Sequence, residues 1–176
     1  MEWVLLSYRI PREPSTPRIT VWRKLERLGV ARLGDGLVGL PADARTKEQI
    51  EWVAEEIVDA GGTATVWLAS STSQTQERAI AAAMRAARTA EYQSVIAQAQ
   101  QAATGPVEEA ARALRRLRAE LRRIQRRDFF PPEDQDQAAA ALNRLADRLK
   151  LAAGDSRAGK PAAQAGTPGD RARAPR

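Results

Sequence analysis

The run Trp3-Val4-Leu5-Leu6-Ser7-Tyr8-Arg9-Ile10 is apolar, aromatic and β-branched, and it stops at Pro11. Such a run reads as a buried strand, and the proline closes it because it has no N–H to give to a ladder. The chain therefore opens on a strand, and everything after it must supply that strand with partners and a cover. Pro11 and Pro14 hold the next residues extended. Ser15 or Thr16 can then cap a helix with Pro17 at its first position, where a missing N–H costs nothing. The spacing predicts a helix from about Pro17, with free amides at its start and Arg12 and Arg18 beside them, an arrangement that welcomes an anion.

Periodicity carries the reading forward. Val21, Trp22, Leu25 and Leu28 fall on one helical arc and Arg23, Lys24 and Arg27 on the opposite one, with Gly29 placed as a C-cap. Gly34-Asp35-Gly36 sits between two short apolar runs, Ala31 to Leu33 and Leu37 to Leu40, which is a tight hairpin signal. Thr46-Lys47-Glu48-Gln49 has capping-box spacing and precedes the i, i+3, i+4, i+7, i+8 pattern of Ile50, Val53, Ala54, Ile57 and Val58. Gly61-Gly62 ends that helix, and Thr63 to Ala69 alternates as a strand does. The order strand, helix, strand, strand, helix, strand predicts an α+β unit of the ferredoxin-like βαββαβ type over residues 1–73.

Helical signals follow. Ser73-Gln74-Thr75-Gln76 can cap a helix that Gly105-Pro106 ends, and Val107, Ala110, Leu114, Leu117, Leu121 and Ile124 are spaced 3, 4, 3, 4, 3. Ala138, Leu142, Leu145 and Leu149 resume the seam after the break at Phe130-Pro131-Pro132, so residues 74–152 should form a helical segment containing an antiparallel hairpin. Residues 153–176 are rich in Gly, Pro, Ala and Arg without periodicity and read as a disordered tail.

Charge is uneven. Up to Gly34 there are seven basic residues against three acids, and from Asp35 to Ser73 two against seven. Pro106 to Arg127 holds eight arginines against three glutamates. The net charge of +6 is therefore concentrated in patches, and a polyanion is a fitting partner. Arg12, Arg18, Arg23, Lys24 and Arg27 can gather around the first helix and its opening as a polyanion site. Arg12, Ser15, Thr16 and Arg18 are the candidate oxyanion site. A solvated helix face would account for the same arginines equally well. Trp3 and Trp22 are expected in the core and Trp52 partly exposed, although the four tryptophans could also serve as stacking platforms.

The composition excludes much chemistry. With no cysteine and no histidine there is no disulfide, no thiol nucleophile and no imidazole base or ligand. The acids Glu48, Glu51, Glu55, Glu56 and Asp59 suit a hard cation by type, but a helix spreads them apart. The expectation is a non-enzyme without cofactor or metal. No stretch approaches the roughly 20 apolar residues of a membrane span. No signal-peptide order is present either, so no membrane role and a cytoplasmic location are expected.

The motifs Trp3 to Ser15, Val21-Trp22-Arg23-Lys24-Leu25-Glu26-Arg27-Leu28-Gly29, Leu40-Pro41, Glu51-Trp52 and Gly61-Gly62 together resemble the N-terminal domain of the chromate resistance protein ChrB family, over about residues 2–150. The resemblance implies a chromate-responsive transcriptional regulator that binds promoter DNA, with chromate as a ligand and Arg9, Arg12, Arg18, Arg23, Lys24 and Arg27 as the candidate nucleic-acid contacts. Full-length members continue into a second domain, so the resemblance also implies that any sensing by that domain is either absent or supplied by another protein. The first unit resembles, too, the ferredoxin-like module of PaaX-type repressors and of the small CRISPR adaptation nucleases. Those nucleases carry an aspartate at the end of the first strand, where this chain has Arg9 and Ile10. The alternatives are an oxyanion-handling or nuclease-like enzyme on the same fold, or a scaffold that acts through its leucine seam. Open sheet edges and the seam also predict a homodimer.

Overall fold

The structure, a computed structural model, describes residues 1–158. Strand β1 (Glu2–Arg9) is followed by α1 (Ser15–Leu28), β2 (Ala31–Gly34), β3 (Leu37–Pro41), α2 (Ala44–Asp59) and β4 (Thr63–Ser70). Three further helices, α3 (Gln74–Thr104), α4 (Val107–Arg126) and α5 (Asp134–Ala158), complete it. The fold class is α+β, with five helices among the described residues and one four-stranded sheet in the order β2-β3-β1-β4. Every pairing in the sheet is antiparallel.

The opening run does lie inside the sheet, flanked by β3 and β4. Its side chains alternate: Val4 and Leu6 are fully buried and face Leu40 and Val38 across β3. On that face they meet Val21 and Leu25 of α1 and Ile50, Val53 and Ile57 of α2 in one apolar cluster. Burying such aliphatic side chains is worth about 1.5–3 kcal/mol each, which makes this face the anchor of the unit.

Two helix starts differ from the sequence reading. Helix α1 begins at Ser15 rather than near Pro17, and neither Ser15 nor Thr16 caps it; Pro14 precedes it with no side-chain cap. Both hydroxyl residues are themselves in the first turn, which leaves no polar side chain at the cap. Helix α2 begins at Ala44, before the Thr46 start that the capping-box spacing suggests. The real box is Asp43 with Thr46: the Thr46 N–H donates to Asp43 Oδ1 (2.6 Å) and the Asp43 N–H to Thr46 Oγ1 (2.9 Å). Thr46 Oγ1 also donates to the Pro41 carbonyl at 2.7 Å, so this fully buried hydroxyl ties α2 to the end of β3.

Helix α3 belongs to both halves of the molecule. Met84, in its first half, packs against the α/β cluster, and Tyr92, Val95 and Ala99 enter a second cluster with the seams of α4 and α5. The Arg127 guanidinium reaches Glu91, and Arg148 donates to the Gly105 carbonyl at 3.0 Å. Helix α4 thus runs back along α3, and α5 returns parallel to it, so the expected α4 and α5 hairpin is completed by α3 into three packed helices. Helix α5 continues to Ala158, past the boundary expected at 152. Residues 159–176, which hold most of the expected tail, lie outside the described residues.

Candidate nucleic-acid and anion site

The basic residues singled out in the sequence do not share one environment. On α1, Arg23 and Arg27 are exposed, and Arg27 Nε donates to the Arg23 carbonyl at 3.2 Å, which holds the side chain along the helix. Neither has a carboxylate within ion-pair distance among the described residues. Lys24 is different: its ammonium pairs with Glu56 of α2 and is half-buried. The helical arc that places Lys24 with the arginines also turns it toward α2, so it is committed within the fold.

Arg9 and Arg12 line a shallow depression with Gly61, Gly62 and Thr63, at the far end of β1. Arg18 lines another with Tyr8, Ile19, Trp22 and Gly36. Of the four-residue oxyanion set, Arg12 and Arg18 therefore line separate depressions, and Ser15 and Thr16 line neither. What remains at the start of α1 are the Ser15 and Thr16 amides, outside the helix ladder; Pro17 contributes none.

Trp22 departs from its expected core position. It is 50% exposed, with the Arg32 guanidinium 5.9 Å from its ring centre. Only Val21 and Leu25 are buried on α1, and Trp22 sits about 100° from Val21, outside the arc that faces the sheet. Arg32 is held in turn by Glu26 at 2.6 Å. Trp3 is buried, as expected, against Phe130 at 6.2 Å between ring centres, and Trp52 and Trp67 are exposed.

A cleft of about 680 Å³ separates the α/β unit from the three helices, with Val30, Ile80, Met84 and Phe129 on its apolar wall. Beside it Arg88 and Arg127 both donate to Glu91 Oε1, at 3.1 and 2.8 Å. The neighbouring Tyr92 hydroxyl donates to Asp128 at 2.8 Å, and burial, then that hydrogen bond, push its pKa well above the usual phenol range. The Arg127–Glu91 and Tyr92–Asp128 contacts were invisible in the sequence, because the partners of each lie 36 residues apart and only the helix packing brings them together. Among the described residues no three acidic side chains gather as metal ligands, and no helix is long and apolar enough to cross a membrane.

Taken together, the structure defines a small antiparallel α+β unit with a basic helix on one face, docked onto an arginine-rich three-helix segment. A family model described as "Protein ChrB, N-terminal" matches residues 18–154, most of the chain. The chain belongs to this family, which associates it with chromate resistance. No curated protein and no solved structure matches it. Arg18, Arg23, Lys24 and Arg27 fall within the matched span, and Arg9, Arg12, Ser15 and Thr16 precede it.

Proposed function

We propose that this chain is a non-enzymatic, cytoplasmic regulator of chromate resistance that binds promoter DNA through the exposed face of α1, with chromate as its effector. The observation that carries this reading is the pair Arg23 and Arg27, one turn apart, exposed and free of carboxylate partners. Such a pair is suited to two successive phosphates. The strand order and antiparallel pairing support reading residues 1–73 as a ferredoxin-like unit. A homodimer is supported by β4, a sheet edge of eight uncharged residues among which Trp67 and Leu68 are exposed.

The test is retardation of the chain's own promoter region with and without chromate. Replacing Arg23 and Arg27 with alanine should weaken promoter binding and reduce its salt slope by about 2, since each phosphate contact contributes about 0.9. Chromate should release the wild-type complex and raise the melting temperature of the free protein, and Arg18→Ala should remove that rise. A chain that neither prefers its promoter over random duplex nor responds to chromate would refute the regulator reading.

A further inference from the structure

The most strongly charged surface of the described molecule lies on α4 rather than on α1. From Arg112 to Arg126 the helix carries seven arginines, all exposed, and a single acid, Glu120. At about 100° per residue these arginines fall within an arc of roughly 160°, and at 1.5 Å per residue they span about 21 Å. The opposite arc is Ala110, Leu114, Leu117, Leu121 and Ile124, every one buried in the helical core. Two of the arginines approach a glutamate, Arg112 to Glu108 and Arg123 to Glu120, each at 3.8 Å and largely in solvent. Pairs so long and so exposed neutralise little. Like charges repeated at i, i+3 and i, i+4 destabilise a helix, and a bound polyanion relieves that repulsion.

Tertiary structure lengthens the stripe. Arg45, at the start of α2, lies over the Phe129 ring at 5.9 Å and reaches the Arg126 carbonyl at 3.5 Å, so it continues the row beyond the end of α4. The surroundings narrow the partner. A membrane-surface helix needs its apolar arc for the lipid, and here that arc is consumed by the core. A single-strand binder needs aromatic platforms, and α4 has no aromatic residue. What is left is a straight, purely cationic ridge, which fits the phosphate rows of a duplex.

We propose that the outer face of α4, extended by Arg45, binds the backbone of duplex DNA without sequence preference, as a surface separate from α1. This goes beyond the promoter reading and does not depend on it. The probe is a random-sequence duplex of about 20 base pairs, roughly two helical turns. The key variant is Arg115→Gln with Arg118→Gln and Arg122→Gln, three exposed positions without ion-pair partners among the described residues; glutamine keeps the helix propensity. The full chain should retard the duplex at about 50 mM salt, and the triple variant should bind at least about tenfold more weakly with a salt slope smaller by about 2–3. Its circular dichroism should stay that of the wild type. Arg144→Gln on α5 should leave both affinity and slope unchanged. A triple variant that binds like wild type, a wild-type chain that ignores the duplex, or equal or tighter capture on phosphatidylserine vesicles each overturns the proposal. Binding to random and promoter duplex alike, lost in the triple variant, supports α4 while refuting promoter recognition.

Discussion

The α/β unit and the helical segment hold themselves together by different means. The first gathers Val4, Leu6, Val38 and Leu40 from two strands and Val21, Leu25, Ile50, Val53 and Ile57 from two helices, so its core exists only once distant segments meet. The second uses a leucine seam with small residues, Ala99, Ala110, Ala138, Ala141 and Ala146, that let helices approach closely, and its only buried aromatic is Tyr92. The difference reaches the surface. Helix α4 meets α3 and α5 along one arc and keeps a continuous outer face for charge, whereas α1 loses Lys24 to Glu56 of α2. What separates the two faces is the place of the nearby carboxylates: α2 brings Glu56 to α1, whereas Glu108 and Glu120 lie on α4 itself, in or near solvent.

Two probes can tell whether the two parts unfold as one. All four tryptophans lie between residues 3 and 67, so fluorescence reports the α/β unit, while far-ultraviolet dichroism is weighted toward the long helices. Leu117→Ala removes a side chain that is 1% exposed from the helical core and should cost about 2–5 kcal/mol. Because Met84 and Phe129 pack into the α/β cluster, the urea midpoints from both probes should fall together. A dichroism transition that separates from the fluorescence transition would show two independent parts.

Gly29→Ala tests the joint itself. Gly29 ends α1 at φ 75°, and an added Cβ would lie 2.9 Å from the Arg127 Cβ and carbonyl oxygen. The left-handed conformation alone costs about 1–2 kcal/mol for an L residue, and the clash adds to it. Thermal melting should show a lower midpoint by both probes. A neutral Gly29→Ala would mean that α1 and the start of the α4 to α5 connection are not in firm contact.

The smallest effects separate the parts by pH. Asp43 caps α2, and the Thr46 N–H, above all, holds its carboxyl below the usual carboxylate range. A lowered folded pKa gives stability that is present above the ordinary value of about 3.9 and is lost as pH falls through the folded one. Asp43→Ala should therefore cost about 1 kcal/mol at neutral pH and flatten the acid side of the stability profile. Tyr92 has the opposite sign: its raised pKa gives stability that is present below the ordinary value of about 10 and declines above it. Tyr92→Phe should cost about 0.5–1.5 kcal/mol and flatten the alkaline side. Denaturation midpoints across pH would reveal both. Profiles unchanged by either substitution would remove the two hydrogen bonds from the account.

What was legible in the sequence was what repeats along the chain. The apolar run around Val4 and Leu6, the α4 seam from Ala110 to Ile124, the Asp35-Gly36 turn and the breaks at Gly105-Pro106 and Phe130-Pro131 appear where the residues place them, whereas Val107, the first member expected in the seam, is exposed at the helix start. Their causes lie within a few residues of each other, in proline's missing N–H, a helical turn or a strand pleat. The candidate site was legible by residue type and not by arrangement. Arg23 and Arg27 keep a free face, while Lys24 turns to Glu56, Arg12 and Arg18 line separate depressions, and Trp22 stands in solvent under Arg32. Helix α1 starts two residues early, because a cap depends on where the chain arrives as well as on which residues are there.

By itself, then, the amino-acid order determined the elements, their sequence and the signs of charge along them. Tertiary packing settled which charges meet across elements. It closed Lys24 onto Glu56, joined Arg88 and Arg127 through Glu91, and set Arg45 beside Arg126. The physical reason is range: periodicity acts through neighbours one turn or one pleat away, whereas an ion pair forms or fails over a few ångströms between segments tens of residues apart, and packing alone sets that distance.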